Sequence, residues 1–125
     1  MATLPDNVSQ AWDNREAAII LTTVDQCGNA NSIYATCTSK FSEDKLVVAD
    51  NYFNKTRTNI LAGSKGVILF ITKDGKSYQI KGSIDYQTTG AIYDDMKEWL
   101  GPNMPGNAAA VLNVQEVYSG AEKLL

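Results

Sequence analysis

The apolar positions of the chain fall into short runs, many of them alternating, separated by turn residues. Residues 17–24 are rich in β-branched side chains and read as a strand. Asp25, Gln26, Cys27, Gly28 and Asn29 supply turn chemistry, and residues 31–39 read as a second strand, closing a hairpin with the first. In that second strand Ser32, Tyr34, Thr36 and Thr38 share one face, and Ile33, Ala35, Cys37 and Ser39 share the other. The hydroxyl-bearing face either meets water or lines a cleft. Residues 41–44 form a turn, and residues 45–49 a third strand. Residues 66–72 are the most apolar segment and predict a buried central strand. Asp74-Gly75 marks a tight hairpin turn. Residues 77–86 alternate, with Tyr78, Ile80, Gly82, Ile84 and Tyr86 on one face; Gly82 signals a bulge or a close backbone approach. A last strand covers residues 109–118, and the tail at 120–125 is expected to fray.

The spacing changes to a helical period in three places. Leu4, Val8, Ala11 and Trp12 share one face of a helix over residues 5–12. Pro5 suits its first turn and Asp6 its positive end, and the helix is expected to pack as a lid on the core. A second helix follows the polar stretch Asp50-Asn51-Tyr52-Phe53-Asn54. Asn54 can cap it, Lys55-Thr56-Arg57-Thr58-Asn59 open it, Ile60 and Leu61 anchor it, and Gly63 stops it. A third covers residues 88–100, with Thr88 or Thr89 as cap and Ile92, Met96 and Trp99 at helical spacing. Two Pro and two Gly within residues 101–107 then break the chain. Six or seven strands with short connections and two or three small helices predict a mainly β, antiparallel, closed or half-closed barrel.

Composition narrows the chemistry more than the fold. A chain of 125 residues predicts one domain over 1–125. The net charge of −3 comes with no basic run, which points away from nucleic acid and from anionic membranes. There are no histidines, so no His can serve as general base, metal ligand or partner of a nucleophile. Cys27 and Cys37 lie ten apart with no partner set for zinc, so no metal is expected. No leader-like start and no run of transmembrane length is evident, so a cytoplasmic place with reduced thiols is expected. No G-x-G-x-x-G occurs for a nicotinamide dinucleotide.

The strongest local candidate is the stretch from Asp50 to Asn59. A strand end, a loop and a helix start present free backbone N–H groups, a Lys and several hydroxyls, which suits an anion such as phosphate. The same ten residues also fit a solvated polar turn.

The order of elements resembles the FMN-binding split-barrel proteins, the pyridoxamine 5'-phosphate oxidase-like superfamily. In size the chain is nearest its smallest members, the FMN-binding proteins of sulfate-reducing bacteria. The likeness runs from about residue 17 to 118. Asn31 to Cys37 is similar to the strand that runs along the flavin, and Val47-Val48-Ala49-Asp50 to the strand whose end borders the ring. Lys55-Thr56-x-x-Asn59 is similar to the K-T-x-x-N signature at the phosphate, and Ile80-Lys81-Gly82-Ser83 to a later strand with a central Gly. Trp99 before the Pro/Gly break resembles a late aromatic near the cofactor.

The resemblance implies an antiparallel split β-barrel that binds FMN in a groove shared by the two subunits of a homodimer. Lys55 and Thr56 would then hold the phosphate, with Asn59 completing the signature; Arg57 either joins them or points to solvent. Tyr34 and Thr36 would reach ribityl or ring atoms, and Ala35 and Cys37 would face the ring. The backbone of Val48, Ala49 and Asp50 would read the pyrimidine edge. The Asp50 carboxylate either disfavours negative charge on a reduced flavin or is a turn residue. The implied role is electron transfer or a flavin-dependent oxidoreductase reaction, with no catalytic residue, substrate or redox partner identified. Pyridoxamine 5'-phosphate oxidase activity itself is not expected. Those enzymes hold their substrate phosphate with extra Arg and His, and this chain has only Arg15 and Arg57. The competing readings are a cofactor-free interaction module and a binder of haem or a deazaflavin.

Overall fold

The computed structural model describes residues 2–125. Eight strands and three helices follow in the order α1 (Asp6–Asp13), β1 (Ile19–Val24), β2 (Ala30–Ala35), β3 (Thr38–Ser42), β4 (Lys45–Asp50), α2 (Lys55–Leu61), β5 (Gly66–Ile71), β6 (Ser77–Gln87), α3 (Ala91–Trp99), β7 (Ala108–Ser119) and β8 (Glu122–Lys123). Seven strands form one antiparallel path, β2-β1-β5-β6-β7-β4-β3, and β8 pairs beside β7. The two edge strands of this path, β2 and β3, are consecutive in the chain. Only Thr36 and Cys37 separate them, a reach of about 11 Å at most. The sheet must therefore curl until its edges nearly meet, and β2 and β3 do not pair across the gap. That is the half-barrel with an open seam expected from the sequence.

The interior is filled from the inward faces of the strands. Ile19 and Leu21 of β1, Leu46 and Val48 of β4, Ile68 and Phe70 of β5, Ile80 of β6 and Leu112 of β7 meet there. Helix α1 closes one end as a lid: Leu4, Val8 and Trp12 are buried, and the Trp12 ring meets Phe70 edge-on at 5.2 Å. Pro5 sits at its N-cap, just outside the first turn. A second cluster lies outside the barrel, where Ile92 and Met96 of α3 cover Val47, Ala49, Ala109 and Val111. β4 and the start of β7 are thus packed on both faces.

Several expectations are corrected. The 31–39 strand is two strands, and its alternation restarts at the Thr36–Cys37 link. Thr38 consequently turns inward and is buried, while Tyr34 points out and is 77% exposed. The turn predicted at 41–44 narrows to Glu43 and Asp44, because Phe41 and Ser42 belong to β3, which carries an irregular register there. The apolar β5 is buried on one face only: Leu69 and Ile71 are exposed, since α3 lies over β4 and β7 instead. Neither Thr88 nor Thr89 caps α3; Gly90 does so, with φ +103°. The tail does not fray. Leu124 and Leu125 pack on the interior cluster, and Val117 N–H donates to the Leu125 carbonyl at 3.0 Å. The expectation at Gly82 holds. The β6–β7 register shifts between Lys81 and Gly82, and a Cβ at Gly82 would stand 1.7 Å from the Asn113 carbonyl oxygen. Among the described residues, no helix is long and apolar enough to cross a membrane.

Candidate functional site

The open seam continues into a cleft of about 400 Å³, within the ~300–1,000 Å³ of small-molecule sites. One wall is β2 and the link after it: Asn31, Ile33, Tyr34, Ala35, Thr36 and Cys37. The other is the end of β4 at Ala49, the loop Asn51-Tyr52-Phe53-Asn54, and the first residues of α2, Lys55 and Thr56. Met104 reaches in from the Pro/Gly loop. Ile33, Ala35, Cys37, Ala49, Phe53 and Met104 give it an apolar part, and Asn31, Asn54, Lys55 and Thr56 give it two amides, an ammonium and a hydroxyl around the start of α2.

The polar end is built by α2. Its C-terminus is fixed by Gly63, at φ +97°, whose N–H reaches the Ile60 carbonyl while Ser64 N–H reaches that of Asn59. This pair of bonds is the Schellman stop. Asn59 Nδ2 donates to Thr23 Oγ1 at 3.0 Å and ties the buried face of the helix to β1. At the other end Asn54 occupies the cap position, but its side chain does not close on the helix. Thr56 is 1% exposed, and its Oγ1 accepts from Asn31 Nδ2 at 3.0 Å. That leaves the hydroxyl proton of Thr56 free to donate to a ligand. Lys55 is exposed at the cleft edge.

Beside the cleft lies a knot of charge. Asp50 has no exposed surface, and its carboxylate takes four hydrogen bonds. Oδ2 accepts from Arg57 Nε at 2.8 Å and from the Tyr86 hydroxyl; Oδ1 accepts from Arg57 Nη2 at 3.1 Å and from Phe53 N–H at 2.9 Å. Burial alone pushes this carboxyl up, but the bonds from Arg57, Tyr86 and Phe53 outweigh it and hold it below its ordinary value. Arg57 is raised in turn, first by its bond to Asp50. Burial and the bond to Asp50 raise the Tyr86 hydroxyl. The adjoining loop is tied as well: Asn51 Oδ1 accepts from Gly106 N–H at 3.0 Å, and the Asp50 carbonyl accepts from Asn107 N–H at 2.8 Å.

Of the residues singled out in the sequence, Tyr34, Ala35, Thr36, Ala49, Lys55 and Thr56 line the cleft together. Four do not. Val48 points into the barrel core. Asp50 is buried in its ion pair. Asn59 anchors α2 and borders two smaller depressions beside it. Trp99 packs with the α3 cluster, and its Nε1 is buried without a partner. Arg57 pairs with Asp50, keeps part of its side chain in solvent and does not line the cleft. Ile33, Tyr52 and Phe53 lie in the stretches singled out but were given no role of their own, and Met104 was not anticipated. Tyr52, an aromatic that is 78% exposed within a polar loop, carried a readable signal. Met104 carried none, because bonds from Gly106 and Asn107 to Asn51 and Asp50 bring its loop to the cleft.

A sequence model of the pyridoxamine 5'-phosphate oxidase family matches residues 5–120. The chain belongs to that family. It is 24% identical over 119 residues to an uncharacterised protein of Methanocaldococcus jannaschii, covering 93% of this chain and 80% of that protein. Among solved structures it is similar to HupZ of group A Streptococcus, with a TM-score of 0.80, 23% identity and 93% of each chain covered. It is also similar to an FMN-binding protein from Syntrophomonas wolfei, with a TM-score of 0.76, 19% identity, and 91% of this chain and 83% of that one covered.

Proposed function

We propose that this member of the pyridoxamine 5'-phosphate oxidase family binds FMN in the seam cleft and serves in electron transfer or as a flavin-dependent oxidoreductase. The observation that carries the reading is the polarity of the cleft along its length. Lys55, the Thr56 hydroxyl and the first N–H groups of α2 offer a cation and donors at one end, which suits a phosphate dianion. Ile33, Ala35, Ala49 and Phe53 give the other end an apolar wall, which suits a planar ring system. When bound, the flavin supplies the redox chemistry, and the protein's share is orientation, exclusion of water and local charge.

Thr36 and Tyr34 also line the cleft and are proposed to meet the ribityl hydroxyls. The pyrimidine edge needs partners when covered, and the Ala49 N–H and Asp50 carbonyl are not proposed for it, because they are bonded to the Cys37 carbonyl and the Asn107 N–H. Tyr34, Tyr52 and Met104 leave an exposed apolar rim at the mouth. A second copy of the chain over this rim would complete the groove, so a homodimer belongs to the proposal. Oxidation of pyridoxamine 5'-phosphate itself is not proposed, because both arginines are engaged elsewhere. Arg57 is paired with Asp50, and Arg15 lies over the Trp12 ring and donates to the Thr38 carbonyl.

Titration of the purified protein with FMN tests the reading, followed by flavin absorption in the near-ultraviolet and blue and by sedimentation. Uptake of one FMN per chain by a dimer is expected. A protein that stays colourless after added FMN refutes it and leaves the cofactor-free module or another cofactor in its place.

A further inference from the structure

The Asp50–Arg57–Tyr86 knot touches both ends of the cleft without lining it. Asp50 ends β4, one residue after the cleft-lining Ala49. Its Oδ1 holds Phe53 N–H and so fixes the loop at the ring end. Arg57 belongs to the first turn of α2, directly after Lys55 and Thr56 at the phosphate end. Its fork meets both carboxylate oxygens, at 2.8 and 3.1 Å, and its Nε also lies 3.1 Å from the Tyr86 hydroxyl on β6. Tyr86 donates to Asp50 as well, so the strand opposite the loop joins the same carboxylate. A guanidinium so engaged spends its Nε–H and one Nη2–H on the carboxylate, which holds its plane toward Asp50, and Arg57 is not among the residues that line the cleft.

We propose that Arg57 is a positioning residue: with Asp50 and Tyr86 it sets the distance between the loop at the ring end and the helix start at the phosphate end, and it does not bind the phosphate. The proposal rests on the flavin reading above. It assigns the charge that meets the phosphate to Lys55 alone among the cleft-lining side chains. It also makes the two ends of the cleft interdependent. Loosening the knot moves Phe53 and Thr56 relative to one another, so the ring and the phosphate lose their fit together.

The test compares FMN with riboflavin, which lacks the phosphate, on the wild type and on Arg57→Ala, Asp50→Asn and the double variant. Quenching of flavin fluorescence gives the affinities. Each single variant is expected to weaken both flavins about tenfold, with the double variant close to either single, because the two side chains act as a unit. Tyr86→Phe, the mildest change, is expected to weaken both flavins in the same ratio. In the flavin-free protein, amide exchange at Phe53 is expected to quicken in Arg57→Ala while the β1 and β5 amides keep their protection. That readout separates a loosened loop from a destabilised fold. Loss of FMN affinity alone in Arg57→Ala, with riboflavin unchanged, would make Arg57 a phosphate ligand and overturn the proposal. So would tighter FMN binding by Asp50→Asn, or unchanged affinities with only a lower melting temperature. A wild type that takes up neither flavin overturns the functional reading itself. A wild type that binds both, with variants that behave otherwise than stated, overturns the positioning role alone.

Discussion

Replacing Lys55 by Ala separates the phosphate end of the cleft from the rest. Lys55 is exposed, so its loss disturbs no packing, and its neighbours in the fold stay paired. A charge-assisted hydrogen bond contributes roughly 1.5–3 kcal/mol when well formed. An exposed ammonium stays partly hydrated, so a smaller contribution applies, about 1–2 kcal/mol, or roughly 5–30-fold in the dissociation constant of FMN. Thr56→Ala removes one neutral donor at a buried position and leaves the Asn31 amide without its acceptor, for about 1 kcal/mol more. The two changes meet the same phosphate, so their sum is an upper bound, and the double variant is expected to weaken FMN by about 10–100-fold. Riboflavin has no phosphate and is expected to lose less than about twofold from Lys55→Ala. Salt supplies an independent reading. Between 0.1 and 1 M the screening length shrinks from about 10 to 3 Å, so wild-type affinity for FMN should fall, and fall less once Lys55 is gone. Fluorescence titration of both flavins at two salt concentrations measures all of this. An equal loss for FMN and riboflavin, or a salt response that survives Lys55→Ala in full, would remove the phosphate from this helix start.

Two further expectations use groups already present. Cys37 lines the cleft and is half-buried, whereas Cys27 is exposed in the hairpin turn away from it. At FMN tenfold above its dissociation constant, alkylation of Cys37 should slow about tenfold while Cys27 reacts unchanged, as followed by mass spectrometry; equal rates with and without flavin would place the ligand elsewhere. The Asp50 carboxyl is held below its ordinary value in the folded state, so it contributes stability above about pH 3.9 that is lost as pH falls through the lower folded value. Asp50→Asn should therefore melt lower than the wild type at neutral pH and show a shallower decline through that acid window; parallel curves would mean the carboxylate is not bonded as described.

The barrel was legible because its signals are local. The alternation over residues 77–86, the Asp74-Gly75 turn and the helical spacing of Leu4, Val8 and Trp12 each fix an element from neighbours a few positions away. The errors arose where a distant partner decided the outcome. Nothing near Thr36 and Cys37 announces that the strand breaks there; it breaks because β2 and β3 belong to opposite edges of the sheet. The apolar β5 looked central because periodicity does not reveal which strands α3 will cover. The tail looked loose because Leu124 and Leu125 find their contacts on the interior cluster. At the site, Lys55 and Thr56 were readable as a helix start, and Ala35 and Ala49 only through the resemblance. Met104 depended on bonds between two loops and was not readable at all.

Arg57 shows the same division at the level of one side chain. In sequence it follows Lys55 and Thr56, and proximity to an anion-friendly helix start made it a natural second cation for a phosphate. Asp50, seven positions earlier, looked like a strand end at the edge of a loop. No rule of helix or strand spacing pairs residues seven apart across a loop. In the fold the loop doubles back and seals the carboxylate from water, and a charge buried in that way requires a partner. Arg57 is the cation that the turn brings within reach, so the local geometry decides its role before any ligand arrives. The cleft then presents one ammonium with hydroxyl and backbone donors, a set matched to a single phosphate monoester. If FMN binds as proposed, discrimination between flavins at this end comes from Lys55, Thr56 and the helix N–H groups, with Arg57 acting on where those groups stand.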